Sequence, residues 1–370
     1  MENRNEIDNN EIYEGKSIGP INIALIKYWG KDDEKLITPL NNSISLTLDT
    51  KEFYTETSIK IIKIKESKEQ KEDIIELTIN NEPSKITSRI KEIINQFKIL
   101  KPELNKYPYY YIIKSKNTFP IKSGCASSAS SMSSLVMCIN KALKLNLSKD
   151  KLSKISRIGS GSACRSIING ISEWIKEGNN NSHAIQLYDK DYWKLNVMLI
   201  IVNQNKKEIS SSDGMKLSKE TSDFFNYRIK FIVDKHIVEI KDSLKNKNFE
   251  KFGKVIMKES NNFHAVCRDT YPTINYLNIE SEFIIKCVEE INKKEKKIIC
   301  AYTFDAGANP FLIFEEENRD LINNYFEEIL FLDNDIDNNL NDFNKNIKSK
   351  KPVNGKFYKK VIFELGDGAY

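Results

Sequence analysis

Pro120-Ile121-Lys122-Ser123-Gly124-Cys125-Ala126-Ser127-Ser128-Ala129-Ser130-Ser131 is the stretch on which the fold turns. It follows a tyrosine-rich run near 109–114 that reads as a strand, and it flows into Met132, Leu135, Val136 and Ile139 at helical spacing. Small residues between a strand and an apolar helix let backbone N–H groups converge on a polyphosphate, and the helix turns its positive dipole end toward the same point. Serine hydroxyls there suit Mg²⁺ or a terminal phosphate. The stretch is neither a Walker loop, which needs Gly-Lys-Ser/Thr in series, nor a G-x-G-x-x-G turn. A serine-rich linker is the alternative, but linkers seldom run straight into an amphipathic helix, here expected over 128–144.

Working outward, strands are expected at 43–48 and 58–64, the latter facing 75–79 across an exposed Lys/Glu connection. Ile86, Ile90, Ile93, Ile94 and Phe97 fall on one helical face, with Pro83 and Ser84 as a start signal. A second helix over 148–158 ends at Gly159 and Gly161. The apolar run Val197 to Val202 is a strand's length, and it follows a domain boundary placed near 190. Long amphipathic helices are expected near 220–245, 248–262 and 279–293, then one near 318–330 before a final pair of strands. The expected organisation is a flexible extension over 1–16, a part over 17–190 that carries the serine loop and a second part over 191–370.

Three further segments carry chemistry. Pro20 to Lys31 is an apolar strand ending Lys27-Tyr28-Trp29-Gly30-Lys31, which sets two cations and a phenol at its mouth. Such a cluster suits an anion, although on charge alone lysines snorkelling at a strand end fit better. Gly159-Ser160-Gly161-Ser162-Ala163-Cys164-Arg165 is a glycine–serine turn opening onto a planar guanidinium suited to a carboxylate, or an ordinary surface arginine beside a turn. Asp305, before Ala306 and Gly307, is a turn former unless a cation and a substrate hydroxyl lie near it.

Composition limits the alternatives. The 57 basic and 52 acidic residues nearly cancel to +5, and the Lys-rich stretches at 292–297 and 344–351 lack interleaved aromatics, so they read as solvated faces rather than nucleic-acid surfaces. The six cysteines form no C-x-x-C pair, which argues against a zinc site or a disulfide framework and for a reducing compartment. The acidic, polar first sixteen residues fit neither a signal nor a transit peptide, and no run spans a bilayer. The expectation is a cytoplasmic protein with no membrane partner.

Together and in this order, the four segments resemble the mevalonate diphosphate decarboxylases of the galactokinase, homoserine, mevalonate and phosphomevalonate (GHMP) kinase superfamily. Ser210-Ser211-Ser212-Asp213-Gly214-Met215 and Asn262-Phe263-His264-Ala265 extend the match, which runs from about Gly19 to Asn309. Cys125 stands where a loop leucine is usual, and Ala308 where a proline is common. The resemblance implies an α+β, two-part GHMP-kinase-like fold. Its N-terminal part would be like ribosomal protein S5 domain 2, and its C-terminal part a ferredoxin-like α/β sandwich. It also implies use of MgATP to phosphorylate the 3-hydroxyl of mevalonate 5-diphosphate, followed by loss of phosphate and CO₂ to give isopentenyl diphosphate for isoprenoid and sterol biosynthesis.

By the same resemblance Asp305 is the catalytic carboxylate and Lys27 its cationic neighbour. Arg165 holds the substrate carboxylate, steadied by Asn22. Ser128 meets the transferring phosphate and Mg²⁺, while Gly124, Ala126 and Ser127 line the ATP loop. Tyr28, Lys31, Ser160 and Ser162 grip the diphosphate. A homodimer is the expected assembly. The competing readings are a sister kinase or monophosphate decarboxylase, and a non-enzymatic nucleotide- or RNA-binding protein.

Overall fold

The computed structural model describes residues 7–64, 72–119, 127–178, 181–203, 208–331, 342–352 and 355–370. The chain opens with β1 (Ile7–Pro20), β2 (Asn22–Ala24), a small hairpin of β3 (Lys31–Asp33) and β4 (Thr38–Pro39), β5 (Ser43–Thr47) and β6 (Tyr54–Ile64). β7 (Ile74–Ile79), β8 (Glu82–Pro83), α1 (Ser88–Leu100) and β9 (Tyr109–Asn117) follow. Helices α2 (Ser127–Ala142) and α3 (Lys149–Gly159) lead through a 3-10 turn at Gly161–Ile167 to β10 (Ile171–Trp174) and β11 (Ala184–Tyr188). Then come β12 (Leu195–Ile201), α4 (Ser211–Thr221), α5 (Asp223–Tyr227), a π turn at Arg228–Ile232 and α6 (Val233–Asn246). The remainder is α7 (Phe249–Asp269), α8 (Ile279–Glu295), β13 (Ala301–Phe304), β14 (Pro310–Glu315), α9 (Arg319–Leu330), α10 (Asp342–Lys348) and β15 (Lys359–Glu364).

The strands form three main sheets, ordered β1-β6-β9-β7-β8, β11-β10-β5-β2 and β13-β14-β12-β15. The architecture is α+β in two parts. One core unites β6 and β9 with α1, α2 and α3. A larger one joins the inward residues of β2 and β5 to the third sheet and to α6, α7, α8 and α9. Every residue of β12 is buried, as its unbroken apolar run requires of a strand covered on both faces. A third, smaller cluster surrounds Trp29 with Phe225, Phe263 and Tyr276 and ties the mouth of β2 to α7.

Several expectations need correcting. Residues 7–16 are the first part of β1, paired with β6, rather than a flexible extension. Ile12, Glu14 and Lys16 face outward, and Gly15 presses so closely on α2 that an added Cβ would lie 2.4 Å from the Cys138 carbonyl. β7 does not face β6: β9 lies between them and pairs with β7 in parallel. Helix α1 starts later than Pro83-Ser84 suggests, because Thr87 supplies the cap, its Oγ1 accepting from the N–H of Ile90.

The helix expected over 220–245 is broken. Ser222 caps α5 through the N–H of Phe225, and the π turn swings Arg228 into the core. After α9, the described residues contain one strand, β15, and its partner is β12 rather than a neighbouring hairpin strand.

Candidate active site

A cavity of about 510 Å³ opens where β2, the Gly161–Ile167 turn, α2, α4 and the end of β13 converge. Asn22, Lys27, Tyr28, Lys31, Ser127, Ser128, Ser160, Ser162, Arg165 and Asp305 all line it. Segments far apart in sequence thus present their polar groups to one space.

At its centre Lys27 Nζ donates to Asp305 Oδ1 at 2.8 Å and to the Ala24 carbonyl at 2.7 Å. Burial lowers the Lys27 pKa from its ordinary value, an effect the Asp305 carboxylate partly offsets. Asp305 is 31% exposed, so its other oxygen remains open to the cavity while Lys27 is buried behind it.

Arg165 projects from the 3-10 turn and is only 3% exposed. Its Nη1 donates to Ser43 Oγ at 3.0 Å, its Nε has no partner, and no carboxylate pairs with it among the described residues. Burial pulls its pKa below arginine's ordinary value, against the opposing influence of nearby Cys164 and Asp305. A buried guanidinium lacking a counter-ion is costly unless an anion arrives. The turn itself is fixed by Asn22, whose Nδ2 donates to the Ser162 carbonyl at 3.1 Å and to Ser166 Oγ at 2.7 Å. Gly161 is required at its place: a Cβ would sit 2.6 Å from the Tyr28 ring.

Three hydroxyls form a chain along the wall, Ser128 to Ser160 at 3.1 Å and Ser160 to Ser162 at 3.3 Å. The buried Tyr28 hydroxyl has no partner among the described residues, and burial raises its pKa, so it stays a donor. Lys31 Nζ lies 2.7 Å from Glu34, whose side chain is mostly exposed.

Sequence reasoning missed Arg89. It stands on α1 and reaches Ser212 Oγ at 3.4 Å and the Gly159 carbonyl at 3.3 Å, adding a cation to the same cavity. An arginine near the start of an amphipathic helix carries no local signal of this, since only the packing of α1 against α3 brings it there. Ser210, Ser211, Ser212 and Met215, quoted above only as supporting matches, line the opposite wall at the start of α4. Gly124 and Ala126, with Lys122 and Cys125, lie outside the described residues. No group of three or more His, Cys, Asp or Glu suited to a metal occurs among the described residues.

Comparison with known proteins places this cleft. The family model described as diphosphomevalonate decarboxylase-like N-terminal domain matches residues 19–186, and the mevalonate 5-diphosphate decarboxylase C-terminal domain matches 197–363. The chain belongs to the mevalonate 5-diphosphate decarboxylase family. A diphosphomevalonate decarboxylase of Debaryomyces hansenii is 37% identical over 374 residues, covering 96% of this chain and 94% of its own.

The mevalonate diphosphate decarboxylase from Trypanosoma brucei superposes with a TM-score of 0.85 at 28% identity, covering 96% of this chain and 97% of that one. The protein called MDDEF, solved in complex with MVAPP, AMPPCP and magnesium, superposes with a TM-score of 0.77 at 29% identity, covering 97% and 99%. Both matched domains contribute to the cleft. The first holds Asn22, Lys27 and Arg165, the second Asp305, and the cavity lies where they meet.

Proposed function

We propose that this cleft decarboxylates mevalonate 5-diphosphate to isopentenyl diphosphate at the expense of ATP, releasing ADP, phosphate and CO₂. The observation that carries the reading is Arg165: a buried guanidinium without a counter-ion among the described residues, in the same cavity as the Lys27–Asp305 pair. A kinase that stops at phosphorylation needs the carboxylate at the hydroxyl but has no use for a buried fork aimed at a substrate carboxylate.

In this reading Asp305 orients the 3-hydroxyl and accepts its proton as the oxygen bonds to the γ-phosphorus of ATP, with ADP leaving. Lys27 fixes the Asp305 carboxylate, so little reorganisation is needed at the moment of transfer. The C3–O bond then breaks and its electron pair leaves with phosphate. Positive charge grows on the tertiary carbon, and the Asp305 carboxylate, its proton having passed to the departing phosphate, stabilises it electrostatically. The C1–C2 pair becomes the new double bond and CO₂ departs from the fork of Arg165.

Tyr28, Lys31, Ser160 and Ser162, joined by Arg89, grip the diphosphate, Lys31 exchanging its exposed Glu34 partner for phosphate oxygens. Ser127 and Ser128, with Gly124 and Ala126, serve the ATP phosphates. Magnesium would be held by the Ser128 hydroxyl together with nucleotide phosphates and water, and would supply neutralisation of phosphate charge. This fits a site whose cationic and hydroxyl groups outnumber its carboxylates.

Free, buried thiols at Cys138, Cys164, Cys267, Cys287 and Cys300 support a reducing, cytoplasmic setting, and no helix among the described residues is long and apolar enough to cross a membrane. The family resemblance supports a homodimer.

Product analysis after mixing the protein with MgATP and mevalonate 5-diphosphate tests the reading. Isopentenyl diphosphate with equal ADP and phosphate is expected. A stable phosphorylated mevalonate would make the chain a kinase only, turnover of the monophosphate alone would change the substrate, and ATP binding with no turnover would leave a binding protein.

A further inference from the structure

Helix α7 sends two consecutive side chains to the two halves of the Lys27–Asp305 pair. Glu259 Oε1 accepts the backbone N–H of Lys27 at 3.0 Å. Ser260 Oγ accepts the backbone N–H of Phe304, the residue before Asp305, at 3.1 Å. Both side chains are fully buried and neither lines the cavity.

Glu259 is held from behind. Arg228 Nη1 donates to its Oε2 at 3.1 Å, Arg228 Nη2 donates to its Oε1, and His236 Nδ1 lies 2.7 Å from Oε2. Arg228 also donates to Asn262 Oδ1 at 2.6 Å and to the Lys27 carbonyl at 3.4 Å, a carbonyl that Asn41 Nδ2 bonds at 3.1 Å. The N–H and the carbonyl of Lys27 are therefore both tied to one buried ionic cluster. Arg228 reaches it from a π turn, a helix irregularity found disproportionately at functional sites. Buried ion pairs add little net stability compared with apolar packing, so stability is a weak reason for this one. Placement is a better reason, because a shift of about 1 Å at a reacting group can cost about 10²-fold in rate.

We propose that Glu259 and Ser260 are positioning residues that set the register of Lys27 against Asp305, so that one turn of α7 aligns groups delivered by both halves of the chain. The proposal rests on the reading of the cleft given above. It does not make either residue a contact of the substrate, and that distinction is what an experiment can separate.

The test measures kcat and KM for ATP and mevalonate 5-diphosphate in wild type, Ser260→Ala and Glu259→Gln, with a crystal structure of Ser260→Ala. Expected are a fall in kcat of about tenfold for Ser260→Ala and about 10²-fold for Glu259→Gln, with both KM values within about twofold of wild type. The structure should show Lys27 Nζ drawn away from Asp305. Should Glu259→Gln fail to fold, Ser260→Ala, which leaves the ionic cluster intact, decides alone. Unchanged kcat in folded Ser260→Ala, or KM values that rise as kcat falls, would overturn the positioning role. A wild-type protein without turnover defeats the reading of the cleft instead, and the Lys27–Asp305 distance in Ser260→Ala then settles the positioning: retention at 2.8 Å rejects it and separation supports it.

Discussion

The Asp305 carboxylate lies 2.8 Å from the Lys27 ammonium although 278 positions separate them in sequence. Lys27 is buried and Asp305 partly open, so the pair has one face toward the protein and one toward the cavity. Asp305→Asn keeps the shape and the hydrogen bond but removes the charge. Turnover is expected to fall about 10³-fold or more while both ligands still bind, because the lost interaction is made mainly in the transition state. Steady-state kinetics together with titration calorimetry check this, and near-wild-type turnover would remove Asp305 from the chemistry.

Arg165 offers a trade between stability and activity. Arg165→Met replaces a buried cation lacking a counter-ion with an apolar side chain of similar length. The thermal midpoint should rise by a few degrees, while kcat/KM for mevalonate 5-diphosphate falls about 10²-fold or more. Arg165→Lys keeps the charge without the planar fork and should recover little of the loss. Differential scanning fluorimetry and kinetics on the same samples give both readouts, and a lowered midpoint in Arg165→Met would contradict the account of an unbalanced charge.

Lys31 is held by Glu34 at 2.7 Å, and a bound diphosphate must compete with that carboxylate. Glu34→Gln frees the ammonium without emptying the cavity. The KM for mevalonate 5-diphosphate and the inhibition constant of inorganic pyrophosphate should both drop about twofold to fivefold, with kcat little changed. The exposed side of this pair limits the effect, since solvent and salt already weaken it. An unaltered pyrophosphate constant would mean that Lys31 does not meet the diphosphate.

How much of this was legible beforehand depended on the range of the cause. The apolar run 197–202 announced β12, and apolar spacing announced α2 after its serine-rich start and α3 before the turn at Gly159 and Gly161, because local periodicity reports burial. The four segments that line the cleft were legible for the same reason, each being a short run of unusual composition at the end of a strand or helix. Pairing order was not: nothing in 58–64 or 75–79 tells that β9 inserts between them. Arg89, Arg228 and Glu259 were equally opaque, since each sits in a helical or near-helical run where a charged residue ordinarily faces water. The inward turn at Arg228 needs a carboxylate 31 residues away to make sense of it.

Acid should destabilise this fold before ordinary carboxylates titrate. Burial, with help from nearby Lys27, pushes the His264 pKa from 6.5 down to about 3, so the folded protein keeps this ring neutral where the unfolded chain protonates it. That contribution is complete above pH 6.5 and shrinks as pH falls toward 3, at about 1.4 kcal/mol per pH unit for one proton. Burial alone would raise the Glu259 pKa, but the Arg228 guanidinium overcomes it and holds the group at about 2, so its contribution drains away below pH 4.5. Chemical denaturation from pH 7.5 to 4.8 should show the His264 slope. His264→Gln should flatten it, and a variant that parallels wild type would show that another group titrates.

Residues 366–370 return from the third sheet to hold the turn that carries Arg165. The Ala369 N–H donates to the Ser166 carbonyl at 2.7 Å, the Tyr370 N–H to the Ile18 carbonyl at 3.0 Å, and the Gly368 N–H to Asn169 Oδ1 at 3.0 Å. Gly368 permits this contact because a Cβ there would lie 2.1 Å from the Ile167 carbonyl oxygen, a backbone atom with nowhere to go. Gly368→Val must therefore lift the segment off the turn and loosen both Ser166 and its neighbour Arg165. Because Asn22 still donates to Ser162 and Ser166, the turn should survive with a less fixed guanidinium rather than unfold. The expected signature is a KM for mevalonate 5-diphosphate raised about fivefold to tenfold, a smaller fall in kcat, and an unchanged KM for ATP. Equal changes in both KM values would indicate general loosening of the fold instead of a defect at Arg165.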